Sequence, residues 1–163
     1  MTKNLISEVE IIDDDQKNLL DSFNDTEVDY DKTQTVISLF NRTAEKYPNN
    51  TAVIFEDKKF SYSEVDKISN DIAAYILSKN IGKGDVVSIL IPRCEFMALA
   101  PLGALKAGCA YQPLDSTYPP ERLNFMLKDS AAKMLITTKE LRNLITDFDG
   151  EILFIDEIPA AEN

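Results

Sequence analysis

Val36, Phe40, Ala44 and Tyr47 recur at helical spacing, with Ile37 beside them, and predict a helix over Thr35–Tyr47 that Pro48-Asn49-Asn50 ends. Thr51–Phe55 and Lys59–Tyr62 read as the arms of a hairpin around Glu56-Asp57-Lys58. Ser61 and Glu64 have capping-box spacing, each able to satisfy a free backbone N–H of the other. They open a helix that runs to about Asn80, with Val65, Ile68, Ile72 and Ile76 on one stripe. From Asp85 onward apolar runs alternate with helical patterns. Strands are expected at Val86–Ile91, Ala110–Pro113, Met134–Thr137 and Ile152–Ile155. Helices are expected at Glu95–Ala107, from Pro119-Pro120-Glu121-Arg122 onward, and at Lys139–Thr146. Strands separated by helices imply right-handed crossovers, so the fold class is α/β: a parallel sheet flanked by helices, with a short hairpin on its N-terminal side.

Residues 1–31 follow a different pattern. Ile6, Val9, Ile11 and Ile12 suit a short strand, and Gln16–Phe23 suits one or two helical turns with Leu19, Leu20 and Phe23 as the apolar side. This stretch holds ten acids against two bases, while the whole 163-residue chain has a net charge of −11. The expectation is a solvated acidic linker over 1–31, with the folded body over 32–163.

Composition removes several chemistries. The chain has no histidine, which excludes Ser-His-Asp triads, Cys-His pairs and histidine metal sites within it. No basic face is available for nucleic acid. Cys94 and Cys109 match neither zinc nor redox spacing and read as buried, inert thiols. The longest apolar run, Phe96–Leu105, is interrupted by Pro101 and is too short to span a bilayer. The N-terminus lacks a signal-peptide core, so no membrane partner and a cytoplasmic location are expected.

Candidate sites are few. Gly82-Lys83-Gly84-Asp85 follows a helix and opens a strand, the reverse of a phosphate loop, and reads as a helix-stop turn. Pro92-Arg93-Cys94-Glu95 follows a strand but has no glycine to admit a phosphate. Asp115 falls just past a strand's carboxyl end, where open α/β sheets place ligands; alternatively it braces its own loop, with Arg122 as a partner. Gly108 sits in the C′ place of a helix and is expected to be left-handed. Ala100, Gly103, Ala104 and Ala107 form a small-residue face suited to close packing on the sheet, and Pro101 should kink that helix.

The nineteen-residue stretch Leu105–Leu123, LKAGCAYQPLDSTYPPERL, closely resembles a core motif of non-ribosomal peptide synthetase adenylation domains, roughly L-K-A-G-x-A-Y-x-P-L-D-x-x-Y-P-x-E-R-L. Its family positions are Lys106, Ala107, Gly108, Tyr111, Pro113, Asp115, Tyr118, Pro119, Glu121 and Arg122. Phe60–Val65 resembles the preceding core motif, T/S-Y-x-E-L, through Ser61, Tyr62 and Glu64, with Val65 in place of leucine. Ile6-Ser7 and Asn24-Asp25-Thr26 resemble the segment joining a condensation domain to an adenylation domain.

The resemblance implies a piece of the large N-terminal subdomain of an adenylate-forming enzyme. Such enzymes activate an amino acid with ATP and magnesium, release pyrophosphate, and load the phosphopantetheine thiol of a carrier domain. Their phosphate loop, substrate pocket, ribose aspartate and catalytic lysine follow these two motifs and have no position here. The resemblance therefore implies no catalytic, cofactor-binding or metal residue in this chain. The motif residues are chiefly structural, and the piece alone is expected to be inactive. Its implied partners are the remainder of the adenylation domain and the condensation and carrier domains. Self-association is expected wherever apolar surface is left bare. Two further readings stay open: a piece of an acyl- or aryl-acid coenzyme A ligase of the same superfamily, and a non-enzymatic interaction module.

Overall fold

The computed structural model describes residues 12–157. The chain divides into two units, Met1–Gln34 and Thr35–Asn163. In the first, helix α1 spans Asp14–Phe23. It starts two residues before the expected Gln16 because Asp13 caps it: Gln16 N–H donates to Asp13 Oδ1 at 2.8 Å, and Asp13 N–H donates to Gln16 Oε1 at 3.2 Å. No residue of α1 is buried; Leu19, Leu20 and Phe23 are exposed. The strand expected around Ile6–Ile12 lies outside the described residues except for Ile12, which occupies a bend.

In the second unit, α2 (Val36–Lys46) is capped by Thr35 and Ser38. The hairpin follows as β1 (Thr51–Phe55) and β2 (Lys58–Ser61), its turn tightened to Glu56-Asp57, with Glu56 at φ 51°. Helix α3 (Tyr62–Ser78) begins at the Ser61–Glu64 capping box. Then come β3 (Val86–Leu90), α4 (Phe96–Lys106), β4 (Ala110–Pro113), α5 (Pro120–Asp129), β5 (Met134–Thr137) and β6 (Glu151–Phe154). The four strands form one sheet in the order β4-β3-β5-β6, every pair parallel, as the alternation of patterns requires.

The chain leaves β3 to one side to make β4, then crosses back to make β5. That reversal puts α4 and α5 on opposite faces. Val87, Ile89, Met134, Ile136 and Leu153 face a core shared with Ile72, Ile76, Ala100 and Ala104 of α3 and α4. Leu90 and Leu135 face Leu123, Leu127 and Ile145 on the other side. Both faces are covered, which is why β3 and β5 read as continuous apolar runs rather than alternating ones. A third cluster seats the hairpin: Ala52, Val53 and Phe60 pack against Val65, Leu99 and Leu102. Of the exposed large apolar side chains in this unit, Val36, Leu39, Ile54, Leu77 and Phe125 lie on helices and the hairpin, and Tyr111 lies on the edge strand β4.

Two expectations are corrected. The helix over Lys139–Thr146 is a single 3-10 turn, Leu141–Leu144. Asn124 of α5 explains the stop: its Oδ1 accepts from the N–H groups of Thr146 and Asp147, each at 3.1 Å, and draws them out of any helical ladder. The small-residue face of α4 does not pack wholly on the sheet. Ala100 and Ala104 do, but Gly103 abuts α3, where an added Cβ would lie 2.5 Å from Ile72 Cγ2 and 3.2 Å from the Ser69 carbonyl.

Candidate functional site

The carboxyl ends of β3 and β4 open into a cleft of about 490 Å³. Its floor is Ile91 and Leu114, both buried. One wall is the β3–α4 loop with the first turn of α4, which present Arg93 and Met97; the other is the β4–α5 loop, Asp115–Tyr118. Doubly wound sheets bind ligands where strand order reverses, here between β3 and β5; the β3–α4 loop borders both that point and this cleft.

The residues around the cleft are mostly engaged with one another. Asp115 Oδ1 accepts from the N–H of Thr117 at 2.9 Å and from its hydroxyl at 2.8 Å. These bonds, with Arg93 nearby, hold its carboxyl below the ordinary 3.8. Asp115 thus braces its own loop, but through Thr117 and not through Arg122. The Arg122 guanidinium instead lies over the Tyr118 ring, 4.2 Å from its centre. The Pro119 carbonyl accepts from the N–H groups of Arg122 and Leu123, and Pro120 occupies the first helical position. Glu121 is exposed in the first turn, where a negative charge suits the helix dipole.

Of the other motif residues, Lys106 lies away from the cleft, where α3 and α4 meet. Lys106 Nζ is 2.6 Å from Asp66 Oδ1 and 2.9 Å from Asn70 Oδ1, and it sits 5.1 Å above the centre of the Phe40 ring. Its side chain is only 6% exposed. Tyr62 packs against the same Phe40, their ring centres 6.0 Å apart. Ser61 N–H donates to Glu64 Oε2 at 2.7 Å, and this bond with that of the Ser61 hydroxyl lowers the Glu64 carboxyl below 4.5. Ala107 ends α4. Gly108 is left-handed at φ 82°, with its N–H on Leu105 O and that of Cys109 on Ala104 O, the two bonds of a Schellman stop. Tyr111 and Pro113 are exposed on the edge strand β4, and Pro113 also reaches the cleft.

The Gly82–Asp85 turn is closed on itself. Asp85 N–H donates to Gly82 O, Gly82 N–H donates to Asp85 Oδ2 at 2.9 Å, and Gly84 has φ 93°. Cys109 Sγ donates to Gly82 O, and burial, with Asp85 nearby, pushes the thiol up. A thiol so placed is inert.

One pairing in this region was not foreseen from the sequence. Glu95, buried at the start of α4, is held by Lys58, the first residue of β2, at 2.5 Å. Burial would raise its carboxyl, but the Lys58 bond, its own backbone N–H and the ammonium charge outweigh that and hold it below 4.5. The signal available was a lone acid between a strand end and the fully apolar Phe96–Leu105; its partner, 37 positions away, had none.

The residues present do not fit a nucleotide's phosphates. The Gly82–Asp85 turn engages the N–H groups of Gly82 and Asp85 internally, and the β3–α4 loop has no glycine. Among the described residues no cluster of three or more Cys, Asp or Glu side chains could hold a metal ion, and no helix is long and apolar enough to cross a membrane.

Comparison with known proteins places these features in a family. The family model for AMP-binding enzymes matches residues 40–162. Tyrocidine synthase 2 of Brevibacillus parabrevis is 37% identical over 156 residues, covering 95% of this chain and 4% of its own length. Bacitracin synthase 1 of Bacillus licheniformis is 36% identical over 143 residues, 88% of this chain and 3% of its own. The chain thus spans only 3–4% of the length of these two curated relatives. Among solved structures, the nonribosomal peptide synthetase FmoA3 superposes with a TM-score of 0.81 at 21% identity, over 91% of this chain and 16% of its own. The four-domain nonribosomal peptide synthetase AB3403, bound to AMP and glycine, gives 0.69 at 27% identity, over 77% and 9%. With the fold, the motif and the family match all covering the same residues, the chain belongs to the AMP-binding enzymes, as a partial region of the adenylation domain found in peptide synthetases.

Proposed function

We propose that this segment is a structural part of an adenylation domain that uses ATP, with magnesium, to join an amino acid to AMP and passes the acyl group to a carrier domain's phosphopantetheine thiol. On this reading residues 1–31 link a preceding condensation domain to the adenylation domain begun at residue 32, and the assembly works in the cytoplasm. The segment alone is catalytically silent. The observation that carries the proposal is how the motif's charged groups are used. Lys106 is engaged by Asp66 and Asn70, Asp115 by Thr117, and Arg122 by Tyr118. They hold helices and loops in place and leave the reacting groups to other parts of the domain.

Calorimetry of the 163-residue chain with magnesium-ATP tests the silence, and saturable micromolar binding would overturn it. Amino-acid-dependent exchange of pyrophosphate into ATP tests the activity. It should be absent from this chain and present when the segment is joined to the rest of an adenylation domain; failure of the joined protein with every amino acid would refute the reading.

A further inference from the structure

The cleft is shaped by a loop that is itself pinned from behind. Residues Pro92–Glu95 join β3 to α4; Arg93 and Met97 face the cleft, while Glu95 points the other way, 8% exposed. There its carboxylate meets Lys58 Nζ at 2.5 Å. Lys58 stands at the tip of a hairpin whose base is fixed by Val53 and Phe60 against Val65, Leu99 and Leu102. The tip is therefore a firm strut. A buried carboxylate that loses its only strong counter-charge is driven to rehydrate, and an outward swing of its loop would let it do so.

We propose that Lys58 and Glu95 form a latch between the hairpin and the β3–α4 loop, and that this latch sets the position of the cleft wall carrying Arg93 and Met97. Lys58 is thus a positioning residue for the cleft, whatever the cleft takes up.

Cys94 is a built-in reporter. It lies between Arg93 and Glu95, half-buried, and its carbonyl accepts from the N–H of Met97 at 3.1 Å. Burial raises this thiol above its ordinary value, and the Lys58 charge works in the opposite direction. Removing Lys58 therefore slows alkylation of Cys94 if only electrostatics change, and speeds it if the loop is released. The two effects have opposite signs, which makes the experiment decisive.

In the 163-residue chain, Lys58→Met should raise the rate of Cys94 alkylation by iodoacetamide about fivefold, the scale of losing one partly exposed charged pair. Buried Cys109 should keep its slow rate. Lys58→Arg, which preserves the charge and the reach, should restore the protection. Cys94 alkylation that is unchanged or slower in Lys58→Met overturns the latch. Equal acceleration of both cysteines does so too, because it means the whole unit has loosened.

Discussion

The stretch Leu105–Leu123 serves two neighbourhoods, and they are built in opposite ways. Its first half, around Lys106–Gly108, lies where α3 and α4 meet, and its charge is almost closed off: a nearly buried ammonium, the three hydrogen bonds it donates, a ring beneath it. Its second half, Asp115–Arg122, turns a loop over an open cleft, and its interactions are short-range and exposed. The first half fixes how two helices cross; the second shapes a rim. A single run of similar-looking residues thus contains one stretch whose substitution should cost fold stability and another whose substitution should leave it nearly intact.

The largest effect is expected just ahead of the stretch, at Gly103 on the same α3–α4 seam. Valine there drives a side chain into Ile72 and the backbone of Ser69, and overpacking of this kind costs about 3 kcal/mol. A urea midpoint matching the parent's would mean that α3 and α4 can slide apart. Lys106→Ala comes next. It strands the Asp66 carboxylate, which is itself 37% exposed and can partly rehydrate, so a loss of about 2 kcal/mol is expected by urea titration. Gly108→Val forces a β-branched residue into the left-handed region at φ 82°, for about 1–2 kcal/mol. The space around it is ordinary, with the nearest atom 3.5 Å from an added Cβ, so the penalty is one of backbone conformation and Gly108→Asn should recover part of it. On the cleft side, Arg122→Gln removes only the contact with Tyr118 and should cost under about 1 kcal/mol in thermal unfolding. A loss as large as that of Lys106→Ala would erase the distinction between the two halves.

The same distinction governs what could be read from the sequence. The strands Ala110–Pro113 and Met134–Thr137 are short and bounded by turn residues, and both lie where the pattern puts them. Ser61 and Glu64 are three positions apart, so their mutual bond is a property of one turn of chain. Leu141, Leu144 and Ile145 also fit helical spacing, but three apolar residues suit a single 3-10 turn equally well, and Asn124, 22 positions earlier, decides the matter. The same holds for Lys58 with Glu95 and for Lys106 with Asp66: each pairing depends on where a hairpin or a helix comes to rest. Asp115 misled for the opposite reason. The guanidinium of Arg122, already inside the next helix, was less available than the hydroxyl two residues on, and the local bond won.

Pro113 has a consequence beyond the cleft. In β4 the N–H groups of Ala110 and Leu114 turn inward to Asp85 and Ile89, so the outward positions are Tyr111 and Pro113. Proline has no N–H to offer, and this margin of the sheet presents a single donor to any passing strand. The opposite margin, β6, has no proline across Glu151–Phe154. The sheet therefore has a guarded hem and an open one: strand addition is easier beyond β6, and sticking between molecules along β4 is discouraged by one missing hydrogen.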